Sequence, residues 1–359
     1  MPTKPVKLYL NKALMQRDRS YISLLYPFFG PVIKKESPYE SAAWRLHGFD
    51  KTYFKLVDDV HAADFYVVPH TYRWLAQTRP DVLDAMSKEA AAAGKPLLID
   101  DTGDVHGPVP SAPSCLLRAD GYRFLTEPDA VVVPLPAEDL LETYYAGRLA
   151  VREKSDVPSV GFVGWAQLPL RTRVKSYVKE LPMRLRALSN SKYRAMEKGI
   201  FYRERALVSL ARTKGIQTSL LSRQTFGGRI DTAGSTQWRK EFVDNLYDCD
   251  YALCVKGDAN ISFRFYEALS MGRIPLLLDT ECVLPLQEKI DYRSFCVIVD
   301  YTDVDRIGEM VKKFHASCPP ERFREMQLQA RQTYEQFLRP DSFSPYLAAA
   351  LHKQKAVAR

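Results

Sequence analysis

The chain has 359 residues, 46% of them apolar, and 51 Lys and Arg against 43 Asp and Glu give a formal net charge of +8. That length holds two domains of ordinary size, and that apolar share fills their cores, which excludes a disordered or low-complexity chain. The basic surplus suits anionic ligands or an acidic surface. Without zinc-finger spacing or an RNA-recognition aromatic signature, nucleic acid is excluded as the expected partner.

Short apolar runs alternate with helical patterns, which predicts an α/β chain with parallel sheets. Strands are predicted at Leu8–Leu10, Phe65–Pro69, Leu97–Asp100 and Ala130–Pro134, with helices at Tyr39–Leu46, Pro80–Ala93 and Ala137–Leu149. The polar run Arg152–Pro158 reads as a linker between domains. Beyond it, strands are expected at Ser159–Val163, Gln217–Leu221, Tyr251–Val255, Ile274–Leu278 and Phe295–Val299. Helices are expected at Val174–Arg186, Lys192–Thr213, Gln237–Tyr247, Phe263–Met271, Asp303–Ala316 and Pro320–Leu338, with a last one within Ser342–Lys355. No signal peptide is apparent ahead of the Leu8 strand, and no apolar run approaches the ~20 residues of a membrane span. A cytoplasmic protein is therefore expected, and a reducing compartment suits its six cysteines, which form no CxxC pair and no zinc pattern.

The most informative segment is Cys254–Pro285. An apolar strand, Tyr251–Val255, runs into the loop Lys256-Gly257-Asp258-Ala259-Asn260, and Ser262 is placed to cap a helix over Phe263–Met271. Gly272 stands where a helix C-terminal cap belongs. Such a loop offers free N–H groups and a helix dipole to an anion. Arg264 in the first turn suits a bidentate phosphate contact, and Glu267 projects from nearly the same face, where a carboxylate accepts from both ribose hydroxyls. The residues alone allow an equal alternative, that Arg264 and Glu267 pair with each other.

This segment resembles the carboxyl half of the exostosin-type glycosyltransferases, glycosyltransferase family 47. Their pattern is Cys-Pro-x-Gly, a short loop, then Ser-x-Arg-x-x-Glu-x-Leu-x-x-Gly-x-Ile-Pro. Here it stands as Cys254-Val255-Lys256-Gly257, then Ser262, Arg264, Glu267, Leu269, Gly272, Ile274 and Pro275. Val255 replaces the usual Pro and Lys256 the usual Arg. Cys282–Pro285, Ile290–Tyr292 and Phe295–Val299 continue the match. The resemblance is specific over about residues 245–300, with a weaker collinear match from Asp64 to Arg173.

The resemblance implies a GT-B type fold, two Rossmann-like domains with parallel sheets facing across a cleft. Residues 1–152 are then the acceptor-binding domain and 158–338 the donor-binding domain, with 339–359 a helix returning to the first. It implies an inverting transferase that takes a nucleotide-sugar, expected to be UDP-linked, and a glycan or lipid-linked glycan acceptor, in surface polysaccharide synthesis. Donor-binding residues are expected to be Gly164, Arg171, Arg173, Lys256, Gly257, Asn260, Ser262, Arg264 and Glu267. Peripheral association with the inner face of a membrane is expected, and no metal or other cofactor.

An inverting transferase needs a base for the acceptor hydroxyl. The cluster after the strand Leu97–Asp100 supplies Asp101 as first candidate, then Asp104 and His106, against the alternative of an Asx turn and helix cap. His70 and Tyr72 are expected as packing or rim residues. Two DxD-like triplets, Asp248-Cys-Asp250 and Asp303-Val-Asp305, read as structural. Rival readings are another two-domain nucleotide-sugar enzyme such as an epimerase, a dehydrogenase (disfavoured because no Gly-x-Gly-x-x-Gly follows an early strand), and a non-catalytic exostosin-like binding partner.

Overall fold

The structure is a computed structural model that describes residues 4–16, 18–30, 46–102, 113–125, 130–224 and 233–357. It divides into two compact units: residues 1–120, 126–136 and 336–359 form unit 1, and residues 121–125 and 137–335 form unit 2.

Unit 1 contains β1 (Val6–Tyr9), β2 (Phe54–Leu56), β3 (Phe65–Val67), α1 (Tyr72–Thr78), α2 (Pro80–Ala92), β4 (Leu97–Asp100), β5 (Ser114–Arg118) and β6 (Val131–Val132). The sheet order is β2-β1-β3-β4-β5-β6, with every pairing parallel. Tyr66, Val68, Leu75, Val82, Met86, Leu97 and Ile99 join strands to helices in one buried cluster, as expected where helices cover a parallel sheet. The predicted helix at Tyr39–Leu46 lies almost wholly outside the described residues.

Unit 2 begins with α3 (Leu140–Tyr145), then β7 (Ser159–Trp165), α4 (Leu170–Ser189), α5 (Gly199–Arg212), β8 (Gln217–Arg223), α6 (Ala233–Asp248) and β9 (Tyr251–Cys254). It continues through α7 (Phe263–Ser270), β10 (Ile274–Asp279), β11 (Val297–Asp300), α8 (Ile307–Ser317) and α9 (Pro320–Thr333). The sheet order is β11-β10-β9-β7-β8, again parallel throughout. The order reverses beside β7, which pairs with both β8 and β9. In open parallel sheets, ligands collect at the strand carboxyl ends of such a switch point. Two parallel-sheeted α/β units are the content of a GT-B type chain.

The final helix α10 (Pro340–Val357) belongs to unit 1. Ser344 Oγ accepts from the Asp50 N–H at 2.8 Å, the His352 ring meets the Lys4 carbonyl at 2.7 Å, and Lys355 pairs with Asp64.

The boundary expected at residues 152–158 is corrected: the chain changes unit at Pro136–Ala137. Arg152 is bound into unit 2, pairing with Asp250 at 2.8 Å and exchanging hydrogen bonds with Gln327. The stretch 137–149 joins it because Asp139 pairs with Arg331 at 2.7 Å and Ser270 Oγ accepts from Leu140 N at 3.2 Å. Polar composition suggested a linker there, but those polar groups are partners of buried ones.

The helix expected over Lys192–Thr213 is also divided. A 3-10 stretch at Ser191–Met196 precedes α5, and Glu197 is extended. The break lets Gly199 come against the loop after β9: a Cβ there would lie 2.1 Å from the Lys256 carbonyl oxygen. Only glycine permits that approach. It sets the first turn of α5 on the loop that the sequence singled out.

Candidate functional site

Four segments of unit 2 converge at the carboxyl ends of β7 and β9: residues 163–165, the start of α5, the loop 256–262 and the start of α7. Ser262 has extended backbone angles at the N-cap of α7, but its side chain makes no capping hydrogen bond. The pairing alternative for Arg264 and Glu267 is not what the structure contains. Arg264 Nη2 donates to the Val163 carbonyl, and the guanidinium stacks 4.2 Å from the Phe162 ring centroid. Gly164 makes room for it, because a Cβ there would lie 2.9 Å from Nη2.

Arg203, one turn into α5, is the residue that sequence reading missed. Its Nη1 donates to the Trp165 carbonyl at 2.9 Å and its Nη2 to the Val255 carbonyl at 3.4 Å, which bridges the ends of β7 and β9. Gly257 faces it, with its Cβ position 3.7 Å from Nη2. Neither arginine has an ion-pair partner among the described residues, and in each the Nε is buried without a hydrogen-bond partner. Burial lowers the Arg203 pKa to about 10, with the positive charge of Arg264 as the second cause. Burial likewise lowers that of Arg264. Two guanidiniums that repel each other and hold only carbonyl oxygens form a site that an anion would stabilise. A helical arginine near Arg205 and Arg212 has no distinguishing sequence signal; only the packing of Gly199 singles it out.

Glu267 is buried and paired with Arg239 of α6, whose Nη1 donates to Oε1 at 2.8 Å. Arg239 also pairs with the buried Glu138 at 2.5 Å. Burial opposes the charge of Arg239, but Glu267 and Glu138 outweigh it and raise its pKa. Glu267 is therefore oriented by a bridging arginine rather than by Arg264.

Two expected diphosphate groups are otherwise occupied. Lys256 is buried; its Nζ donates to Tyr122 Oη at 2.8 Å and to the Ala195 carbonyl at 2.7 Å. Asn260 is buried; its Nδ2 donates to the carbonyls of Gly121 at 2.8 Å and Thr280 at 3.0 Å, and its Oδ1 accepts from Thr280 Oγ1. Both shape the loop, because a buried donor must find a partner and the nearest partners are protein groups. Arg173 pairs on the surface with Glu204 at 2.7 Å, and Arg171 is exposed in the first turn of α4.

In unit 1, Asp101 is buried and accepts from Arg118 Nε at 3.3 Å. Asp104 and His106 lie outside the described residues. Asp100 forms the Asx turn, accepting from Thr102 N at 3.1 Å and Thr102 Oγ1 at 2.6 Å, and burial raises its pKa. His70 is buried, with Nε2 accepting from the Gln16 N–H at 2.9 Å and Nδ1 donating to the Ser20 carbonyl at 2.9 Å. Both ring nitrogens are used, so His70 is a packing residue. Of the DxD-like triplets, Asp250 pairs with Arg152 and Asp305 with Arg205, as structural groups do. Among the described residues no cluster of metal-ligating side chains occurs, and no helix is long and apolar enough to cross a membrane. All six cysteines are free and buried.

Residues 201–314 match the family model for the Exostosin GT47 domain. The chain is 31% identical over 101 residues to the Exostosin-1 homolog of Caenorhabditis elegans, covering 28% of this chain and 25% of that protein. It is 29% identical over 115 residues to Exostosin-1 of Drosophila melanogaster, covering 32% of this chain and 15% of that one. The matches thus span a quarter or less of these relatives' length. Among solved structures it is similar to an α,α-trehalose-phosphate synthase (UDP-forming) from Burkholderia xenovorans. That likeness has 13% identity and a TM-score of 0.33, and covers 81% of this chain and 73% of that one. The matched stretch contains Arg203, Arg239, Arg264 and Glu267, and over it the chain is similar to the Exostosin GT47 domain.

Proposed function

We propose that this chain is an inverting glycosyltransferase. It moves a sugar from a nucleotide-sugar, UDP-linked, to a hydroxyl of a glycan or lipid-linked glycan, in surface polysaccharide synthesis. The observation that carries the donor assignment is the pair Arg203 and Arg264, two guanidiniums that form no ion pair among the described residues, at the switch point of unit 2.

The donor diphosphate takes the spare donors of Arg203 and Arg264 together with the uncapped N–H groups at the start of α7. Glu267 accepts from the ribose hydroxyls through Oε2, while Arg239 holds Oε1. Gly164 and Gly257 keep the approach open, Lys256 and Asn260 hold the loop, and the Ser262 hydroxyl joins the diphosphate contacts. Arg171 or Arg173 assists from α4. The acceptor is assigned to unit 1, with Asp101 first as base and Asp104 and His106 behind it. The acceptor oxygen attacks the anomeric carbon on the face opposite the leaving group, and its proton passes to the base. The bond from the anomeric carbon to the diphosphate oxygen breaks, and its electron pair leaves with the nucleoside diphosphate, whose charge the arginines stabilise.

A thermal-shift panel of UDP-, GDP- and CMP-sugars tests this, because a ligand that binds only the folded state raises its melting temperature. The expected result is a shift with UDP-sugars that is lost in Arg264→Met. No shift with any nucleotide-sugar would remove the donor site. Binding without turnover on any acceptor panel would leave a non-catalytic nucleotide-binding partner instead.

A further inference from the structure

Helix α4 is oriented the wrong way round for a helix of a soluble core. The residues it buries are Ser176, Glu180 and Ala187. Ser176 Oγ accepts from Lys198 Nζ at 3.3 Å and Glu180 Oε1 from Lys198 N at 2.9 Å, while Arg184 pairs with Glu197. Its large apolar residues face outward: Leu170, Val174, Tyr177, Val178, Leu181, Leu185 and Leu188 are all exposed, Leu170 at 75% and Leu188 at 80%. At roughly 100° per residue these seven fall in one row. The row is about 27 Å long at 1.5 Å rise per residue.

A second row lies beside the first. Arg171, Lys175, Lys179 and Arg186 are exposed and fall together on the adjoining quarter of the helix. None has an ion-pair partner among the described residues. The remaining basic residues of the helix, Arg173 and Arg184, are neutralised by Glu204 and Glu197 on its other flank. The only acid in the helix, Glu180, is on the buried face. The outward half of α4 is thus one apolar row beside one uncompensated cationic row.

We propose that α4 is a membrane-surface helix that lies in the plane of an anionic bilayer. The row from Leu170 to Leu188 enters the acyl boundary, and Lys175, Lys179 and Arg186 meet the lipid phosphates. An apolar face bordered by Lys and Arg is the pattern such helices use, and each cation near an anionic surface adds to the attraction. A second copy of the chain is a poorer occupant, because apposed α4 faces would set unneutralised cations against each other. An acidic protein groove meets the same charge but needs a cleft matched to the seven side chains, whereas a bilayer needs only a continuous row. The inference stands apart from the donor site and does not depend on sugar transfer.

The full chain is tested by flotation with vesicles of phosphatidylcholine alone and of phosphatidylcholine with phosphatidylglycerol. Binding to the anionic vesicles alone, weakening as salt screens the charges, is expected. The triple variant Val178→Ser, Leu181→Ser, Leu185→Ser, and separately Lys175→Glu, Lys179→Glu, Arg186→Glu, should each weaken it ~10-fold or more. All six side chains are exposed, so circular dichroism should be unchanged. A Leu181→Trp reporter should shift its emission to the blue on vesicle addition. Failure of the unaltered chain to float with anionic vesicles at low salt overturns the proposal, and so does binding that both triple variants retain. A concentration-dependent dimer abolished by the serine variant, with no flotation, would instead assign the face to a second copy.

Discussion

Gly164 and Arg264 occupy one space: a Cβ on the first would stand 2.9 Å from Nη2 of the second. The absent side chain at the end of β7 is what allows the arginine on α7 to reach the Val163 carbonyl. The atom in the way is the far end of a flexible side chain, so a methyl group there displaces the guanidinium, and the φ of +158° adds backbone strain of its own.

Gly164→Ala meets that guanidinium at a φ of +158°, which alanine rarely adopts, so it should fold with a loss of roughly 1–3 kcal/mol. It should weaken UDP-sugar binding by ~10-fold or more, the scale of one lost charged hydrogen bond. Calorimetric titration alongside thermal unfolding checks both. Undiminished affinity would mean that Arg264 is not at the ligand.

Arg203 is desolvated by burial, repelled by Arg264, and compensated by two carbonyls and the more distant charge of Asp258. Arg203→Met removes that repulsion at the cost of two hydrogen bonds to carbonyls, each worth about 1 kcal/mol, so stability should change little. Diphosphate affinity should fall by ~10-fold or more, since a charged hydrogen bond is worth about 1.5–3 kcal/mol. In the parent, affinity should be flat at neutral pH and decline as pH rises past about 10, where Arg203 loses its proton. Titration of Arg203→Met with UDP across this range is the measurement; parent-like affinity would exclude Arg203 from the site.

Much of this was legible in the sequence, and the failures have physical reasons. Tyr251–Val255 and Ile274–Leu278 read as buried strands because an apolar run between turn residues has few other fates. Gly272 was legible as a cap, and it has a φ of +61°. Lys256 and Asn260 read as ligand groups because a loop before a helix invites an anion. Their actual partners, Tyr122, Ala195, Gly121 and Thr280, come from segments that no local pattern connects to that loop. The same holds for Arg239, which orients Glu267 from 28 residues away. Side-chain type marked the region, while long-range contacts decide which groups remain available for a ligand.

Glu267 has two roles in this arrangement, and they separate by substitution. Glu267→Ala leaves Arg239 with Glu138 as its remaining charged partner. Breaking a buried ion pair costs about 3–5 kcal/mol when one charge is stranded; with Glu138 retained the loss should be smaller, at roughly 1–3 kcal/mol. Glu267→Gln keeps an oxygen for Arg239 and should recover most of that stability. It should not recover nucleoside affinity, because the amide presents an NH2 where ribose needs an acceptor. Urea unfolding and UDP titration on both variants check this. Equal recovery of both properties in the glutamine variant would confine Glu267 to a structural role.

The buried thiols make stability fall with alkali, and the sign can be followed through Cys249. Burial pushes its pKa from an ordinary 9.0 up to about 12. Below pH 9 the thiol is protonated in both the folded and unfolded chain and contributes no slope. Between 9 and 12 the unfolded thiol ionises while the folded one does not, so stability drops as pH rises. Burial raises the thiols of Cys254, Cys282 and Cys296 in the same direction. Arg203 acts with the opposite sign but only above about 10, where losing its proton relieves its burial. Between pH 9 and 10 the thiols act without that offset. Each buried thiol should then cost about 1 kcal/mol between pH 9 and 10. The urea midpoint should change little from pH 8 to 9 and fall from 9 to 10, and Cys249→Ala should reduce that drop by about one thiol's share. An identical drop in that variant would mean that Cys249 ionises as readily folded as unfolded.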